Sequence, residues 1–258
     1  KPFTEQYILA SLLAERLTAE GFRVEQNIGM GSDVIFNAIG SGTVDLYVEY
    51  SGTIWGSFMR REGNPGRAEI TEITQTFVRE RGLNPIGLAG FQNRYALAMR
   101  RERAEELGVV SVQDLAPLAS MLRAGGDLEF FGRSEWKRLQ SLYDLDFAQE
   151  LTFDAALMYT AVEAGQVDVI SAYSTDGRVA AYELVLLEDP QQALLCYDAM
   201  LLASSAAAQD ARFTAARAPV LGAISDEGMR EANKMGDVEG RSVSEATAYL
   251  QAIINKPR

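Results

Sequence analysis

The chain has no histidine and a single cysteine, Cys196, among its 258 residues. Histidine is the commonest general base near neutral pH and the commonest metal ligand, so its absence excludes Ser-His-Asp and Cys-His catalysis. One cysteine excludes an internal disulfide and any cysteine-based zinc site. We therefore expect neither a metal site nor a cofactor.

Basic residues are also scarce, because 24 lysines and arginines face 36 acidic residues and give a net charge of −12. Nucleic acid and anionic membrane surfaces attract clustered Lys and Arg, so the charge disfavours both as partners. No apolar run reaches the ~20 residues that span a bilayer. A 47% hydrophobic chain of this length favours one large domain or two lobes of roughly 100–150 residues.

Helical and strand patterns alternate along the chain, which predicts an α/β fold with largely parallel sheets. The first helix has Ile8, Leu9 and Leu12 on one stripe and Gly21 as its stop. Further helices are expected near 67–81, near Glu135 and over 155–165. Strands are expected at FRVEQN (22–27), VDLYVEY (44–50), PIGLAG (85–90), RYALAMR (94–100), LEFF (128–131), VDVISAY (167–173) and LCYDAMLLA (195–203).

One pattern occurs twice, as AIGSGTVDLYVEYS (38–51) and AVEAGQVDVISAYS (161–174). Each copy reads as a helix that stops at glycine, followed by a strand that ends in tyrosine. The repeat has two interpretations: chance agreement of common helix stops, or equivalent strands of two similar lobes. Ligands of open α/β sheets bind beyond the carboxyl ends of strands. In the second interpretation, Tyr50 and Tyr173 would therefore face each other across a cleft.

Two more tyrosines, Tyr95 and Tyr197, begin strands that would connect the lobes. A quaternary ammonium has no N–H to donate and is recognised by aromatic faces, at about 2 kcal/mol or more for a desolvated contact. Four tyrosines together would therefore suit such a cation. The alternative for each of them is a half-buried core residue with a satisfied hydroxyl.

Several segments of the chain together resemble one known family. They are KPFTEQYILASLL, MGSDVIFNAIGSGTVDLYVEYSGT, GFQNRYALAM, FFGRSEW and DVISAYSTDGRV. They are similar to the substrate-binding proteins of osmoprotectant ABC importers of the glycine betaine, choline and carnitine type. The resemblance implies a two-lobed periplasmic-binding-protein fold of the second type, with two crossover strands as its hinge. Lobe I would comprise 1–94 and 201–258, and lobe II 95–200.

The resemblance also implies a ligand site. The family's aromatic cage maps onto four tyrosines, and its carboxylate contacts map onto three further residues. Arg133 has an alternative as a surface ion pair with Glu135 or Glu129. One departure is Leu195-Cys196, which replaces a Pro-Pro pair that often precedes the last cage tyrosine. The expected ligand-binding residues are Tyr50, Tyr95, Tyr173, Tyr197, Arg133, Thr53 and Lys1.

The function implied is capture of a glycine betaine-like ligand by a monomeric, extracytoplasmic (periplasmic or lipid-anchored) protein that delivers it to an ABC permease. Choline, carnitine or another small cationic solute stays open as the ligand. Two other classes are weighed against this function. An enzyme on the same fold would use carboxylates such as Asp176 and Glu49, although Asp176 is also placed to cap a helix. The effector lobe of a transcription regulator is disfavoured by the lack of a basic helix-turn-helix segment.

Overall fold

The structure, a computed structural model, describes residues 1, 3–128 and 130–256. The chain forms two units. The first comprises Lys1–Arg61, Arg67–Asn93 and Cys196–Arg258, and the second comprises Glu62–Gly66 and Arg94–Leu195. The lobe boundaries expected from the sequence, 1–94 with 201–258 and 95–200, stay a prediction.

The helices and strands alternate along most of the chain. The first unit begins with α1 (Thr4–Ala19), α2 (Ser32–Gly40), β1 (Leu46–Tyr50), α3 (Ser51–Thr53) with a π-helical turn (Ile54–Phe58), α4 (Arg67–Arg79) and β2 (Asn84–Gln92). The second unit contains β3 (Tyr95–Arg100), α5 (Arg101–Leu107), α6 (Val112–Leu115), β4 (Arg123–Asp127), α7 (Ser134–Tyr143), β5 (Gln149–Phe153), α8 (Ala155–Glu163), β6 (Val169–Tyr173), α9 (Gly177–Ala181) and β7 (Leu184–Leu186). The chain then returns to the first unit with β8 (Asp198–Ala203), α10 (Ala211–Arg217), α11 (Asp226–Asp237) and α12 (Val243–Ile254).

Each unit has its own sheet. The first sheet has the order β1-β8-β2, and the second has the order β5-β4-β6-β3-β7. The pairs β4–β5 and β4–β6 are parallel, whereas β1–β8, β2–β8, β3–β6 and β3–β7 are antiparallel. The prediction of largely parallel sheets is therefore wrong. β3 and β8, the first strands after the chain changes unit, run against both of their neighbours, and the sequence does not reveal which distant strands they join.

Two of the expected strands are wrong. In the LEFF segment, Leu128 lies in a turn and Phe130 begins a 3-10 helix (Phe130–Gly132), whereas Glu129 lies outside the described residues; the true strand is β4, with the sequence RAGGD. Because glycine is depleted in strands, the two glycines of RAGGD kept β4 from being predicted as a strand. A Cβ on Gly126 would lie 2.8 Å from the Phe131 ring, so packing requires a glycine there. The FRVEQN segment is not a strand; it lines a cavity of about 500 Å³ together with parts of α1 and β1.

The core of each unit forms from the periodic apolar residues. On α1, Ile8, Leu9 and Leu12 are at most 1% exposed, as their helical spacing predicts. They pack with residues of β1, β8, α11 and α12 in one cluster. The second unit has a separate cluster that includes Trp136, Leu139 and residues of β3. None of the helices in the described part of the chain has the length and apolar character needed to cross a membrane.

Candidate functional site

The repeated sequence pattern ends two strands, one in each unit. Tyr50 is the last residue of β1, and Tyr173 is the last residue of β6. Gly42 and Gly165, which stop the preceding helices, have φ of 76° and 68°, the left-handed region that favours glycine. The prediction that these tyrosines end strands of different units is confirmed. Each tyrosine therefore stands at the end of a strand in its own unit.

In the first unit, Tyr50 is held by its hydroxyl. That hydroxyl donates to Glu5 Oε1 and accepts from Gln6 Nε2 at 2.9 Å. Burial, and then the Glu5 carboxylate, raises the pKa of Tyr50 well above its ordinary value. The face of the ring is next to a cation, because Lys1 Nζ lies 5.0 Å from the ring centroid. Tyr50 therefore stays neutral and presents its face to positive charge.

The same ammonium group of Lys1 forms an ion pair with Glu49, and both side chains are buried. Glu49 also accepts a hydrogen bond from the Tyr50 backbone N–H at 2.8 Å and one from the Tyr47 hydroxyl at 3.2 Å. A buried ion pair needs such additional donors to offset its desolvation. Lys1, expected to contact a ligand carboxylate, is therefore partnered by Glu49 and placed beside the Tyr50 ring.

The second tyrosine of this unit, Tyr197, immediately precedes β8 and lies against Gly52. A Cβ on Gly52 would be 2.6 Å from two carbons of the Tyr197 ring, so the close approach requires glycine. Ser51 Oγ donates to the carbonyl of Cys196 at 3.2 Å and accepts from the N–H of Asp198 at 2.9 Å. These two hydrogen bonds fix the residues directly before and directly after Tyr197. They lie in the segment where Leu195-Cys196 replaces the Pro-Pro pair. Thr53, the last residue of α3, is half-buried one residue beyond Gly52.

In the second unit, Tyr95 and Tyr173 form a pair. They are directly opposite each other in the antiparallel register of β3 and β6, and their ring centroids are 5.0 Å apart. The Tyr173 hydroxyl donates to Asp127 Oδ2 at 3.0 Å and lies 3.4 Å from the Tyr95 hydroxyl. Since a hydroxyl has one proton, Tyr173 accepts from Tyr95 while it donates to Asp127. Burial is the main cause of the raised pKa of both tyrosines. The pKa of Tyr173 rises to about 12.

Arg133 lies next to this pair. Its guanidinium carbon is 5.2 Å from the Tyr95 ring centroid, and Nη2 is 3.4 Å from Glu135 Oε1. The surface ion pair considered as an alternative is therefore present with Glu135, which is itself buried. Glu129, the other partner considered, lies outside the described residues. The arginine thus contacts both a tyrosine of the predicted cage and an acidic neighbour.

The two carboxylates considered for an enzymatic alternative have other partners. Asp176 caps α9 through the N–H of Arg178 at 2.9 Å and forms an ion pair with the guanidinium of the same residue. Glu49 is paired with Lys1, as described above. Among residues 1, 3–128 and 130–256, no group of three or more Cys, Asp or Glu side chains could hold a metal ion.

Sequence reasoning missed two acidic residues that contact the tyrosines, Glu5 and Asp127. Glu5 lies in the segment KPFTEQYILASLL, but it is not among the residues expected to form the site. Asp127 ends β4, the strand hidden by its two glycines. A correct assignment of β4 would have placed an acidic side chain at a strand end, where ligand sites form.

The chain is similar to several known proteins. The family described as the substrate-binding domain of ABC-type glycine betaine transport systems matches residues 1–251. The glycine-betaine-binding protein of Pseudomonas aeruginosa is 31% identical, over 96% of this chain and 84% of its own length. The ergothioneine transport permease/ergothioneine-binding protein EgtU of Helicobacter pylori is 29% identical over 73% of this chain. The match spans about a third of the length of that relative, 34%.

Among solved structures, a glycine betaine/carnitine/choline ABC transporter protein superposes with a TM-score of 0.90 at 25% identity. The match covers 98% of this chain and 97% of the other. The structures therefore share one fold, that of the type II periplasmic solute-binding proteins.

Proposed function

Because the chain belongs to the family of substrate-binding domains of ABC-type glycine betaine transport systems, we propose that it captures a quaternary ammonium ligand that carries a carboxylate, as glycine betaine does. The cation would be enclosed by tyrosines of both units, Tyr50 and Tyr197 from the first and Tyr95 and Tyr173 from the second. The carboxylate would be bound by Arg133, Lys1 and Thr53. The complex would then be presented, outside the cytoplasm, to a membrane permease.

The observation that carries this proposal is that two of the four tyrosines already have a cation of the chain over their rings. Lys1 Nζ is 5.0 Å from the centroid of Tyr50, and the Arg133 guanidinium carbon is 5.2 Å from that of Tyr95. Cation–π attraction acts within about 6 Å of a ring centroid, so each of these two rings is close enough to attract a cation of the chain. A trimethylammonium group offers the same charge without hydrogen-bond donors.

The basic groups beside these rings suit the other end of a betaine. A guanidinium can bind a carboxylate with two parallel hydrogen bonds, and an ammonium binds it as a point charge. Lys1 and Arg133 are each paired with an acidic residue, Glu49 and Glu135. A ligand carboxylate would therefore have to share these cations with the acidic residues.

Titration calorimetry with glycine betaine, proline betaine, choline, carnitine, ergothioneine and ectoine tests the proposal. A ligand carboxylate gains charge-assisted hydrogen bonds from Arg133 that choline cannot form, and one such bond contributes about 1.5–3 kcal/mol. A carboxylate-bearing ligand should then bind at least about tenfold more tightly than choline, since about 1.4 kcal/mol is one decade. Equal affinity for choline and glycine betaine would contradict the carboxylate assignment. Turnover of any of these compounds would favour an enzyme on the same fold.

We further propose that the protein is monomeric and has no enzymatic activity. The acidic candidates for catalysis, Asp176 and Glu49, both have structural partners, which supports a binding role. Sedimentation of the ligand-bound protein at one 28.2 kDa species would agree with a monomer.

A further inference from the structure

A buried carboxylate stands behind one tyrosine in each unit. Glu5 accepts a hydrogen bond from the Tyr50 hydroxyl, and Asp127 accepts one from the Tyr173 hydroxyl at 3.0 Å. Glu5 is 2% exposed and Asp127 is 6% exposed. Neither acid lies close to its tyrosine in sequence, so tertiary structure creates the same arrangement twice.

Both carboxylates are fixed by several donors. Glu5 also accepts from the side-chain amides of Asn93 at 3.2 Å and Asn233 at 3.0 Å. Asp127 Oδ1 accepts from the N–H of Phe130 at 3.1 Å. The donors named here are uncharged groups that orient each carboxylate toward its tyrosine.

The negative charge itself is what requires explanation. A carboxamide oxygen would accept the hydrogen bond from either tyrosine and would be cheaper to bury, because desolvation penalises an ionised group most strongly. A buried charge beside a binding surface is favourable when the ligand has the opposite charge. Asp127 and Glu5 are therefore better suited to a cation than to a neutral ligand.

The hydroxyls provide the physical link. In the second unit the Tyr95 hydroxyl donates to Tyr173, and Tyr173 donates to Asp127, which forms a chain of two hydrogen bonds that ends on a carboxylate. Hydrogen bonds in such a chain polarise one another. A phenol that donates to a carboxylate gains electron density in its ring, which strengthens attraction of a cation to its face.

We propose that Asp127 and Glu5 are positioning residues which, through the hydroxyls of Tyr173 and Tyr50, make the site prefer a cationic head over a neutral group of the same shape. This inference rests on the proposed function and deepens it, because it names the property of the ligand that the tyrosines select. Neither acid needs to touch the ligand.

The test compares glycine betaine with 3,3-dimethylbutanoate, in which carbon replaces the quaternary nitrogen while the shape and the carboxylate are kept. Calorimetry gives the ratio of the two dissociation constants for each variant. Asp127→Asn should lower the preference for glycine betaine by about fivefold or more. Glu5→Gln, in the other unit, should lower it in the same direction.

A matched control is available in the same unit as Asp127. The Tyr143 hydroxyl donates to Asp189, which also accepts from the N–H groups of Ala193 and Leu194, and none of these residues belongs to the proposed site. Asp189→Asn should reduce thermal stability and leave the ratio unchanged. If Asp189→Asn and Asp127→Asn change the ratio alike, the effect is structural and the inference is wrong.

Tyr173→Phe removes the hydroxyl and keeps the ring. It should lower the ratio as Asp127→Asn does, and adding Asp127→Asn to it should change nothing further. Additive effects would overturn the role of the hydroxyl. Wild-type protein that binds neither compound would refute the proposed function, whereas wild-type preference retained in Asp127→Asn and Glu5→Gln, with thermal melts showing both variants folded, would refute this inference alone.

Discussion

Replacing Gly52 by alanine tests how closely the tyrosine walls are positioned. The added Cβ would lie 2.6 Å from two carbons of the Tyr197 ring and 2.7 Å from a third, whereas ordinary contact begins at 3.4 Å. The ring, or the strand end that carries it, must therefore retreat by about 0.8 Å. Overpacking of this kind typically costs about 1–3 kcal/mol of folding free energy.

The displaced wall should also weaken ligand binding. A loss of about 1.4 kcal/mol corresponds to a tenfold rise in the dissociation constant, which we expect for glycine betaine in Gly52→Ala. Calorimetry measures the affinity, and thermal melting without ligand measures the stability. Gly56→Ala is the matched control, because an added Cβ at Gly56 would have no atom within 4 Å.

A second variant separates the clash from other effects of alanine. Tyr197→Ala removes the ring, so Gly52→Ala on that background should no longer reduce stability. Wild-type affinity and melting temperature in Gly52→Ala alone would refute the account of Tyr197 as a fixed wall.

Three further predictions follow from the same contacts. Arg133→Ala should abolish most of the preference for glycine betaine over choline and leave choline affinity nearly unchanged in calorimetry; equal weakening of both would make the arginine structural. Stability should fall above pH 10, because the raised pKa values of Tyr47, Tyr50 and Tyr95 keep these hydroxyls protonated in the folded state, whereas the unfolded chain ionises near pH 10. Each such tyrosine lowers the free energy of unfolding by about 1.4 kcal/mol per pH unit once the unfolded chain is ionised. Urea unfolding between pH 8 and 11 measures this change, and a flat profile of stability against pH would contradict the prediction. Burial raises the pKa of the Cys196 thiol, so at pH 8 a thiol reagent should react with it slowly in the native protein and rapidly after denaturation.

The sequence predicted the elements whose signals are local. The helical stripe of α1, the glycine stops at Gly42 and Gly165 and the strand ends at Tyr50 and Tyr173 all follow from spacing within about 15 residues. The α/β class and the type II binding-protein fold are confirmed by the solved structures.

What the sequence did not predict depends on contacts between distant residues. β8 lies between β1 and β2 and pairs Ala199 with Tyr50, a partner 149 positions away along the chain. β4 contains Gly125 and Gly126 because neighbouring rings pack against their backbone, so it lacks the residues that signal a strand. Asp127 was missed with it. The roles of the seven expected ligand residues stay predictions, which ligand-binding experiments must test.

A crystal structure of the protein with glycine betaine tests the central claim most directly. The account predicts that the trimethylammonium nitrogen lies within about 6 Å of the ring centroids of Tyr50, Tyr95, Tyr173 and Tyr197, and that the carboxylate accepts hydrogen bonds from Arg133. A ligand held by the tyrosines of one unit only, or with its carboxylate away from Arg133, would contradict it.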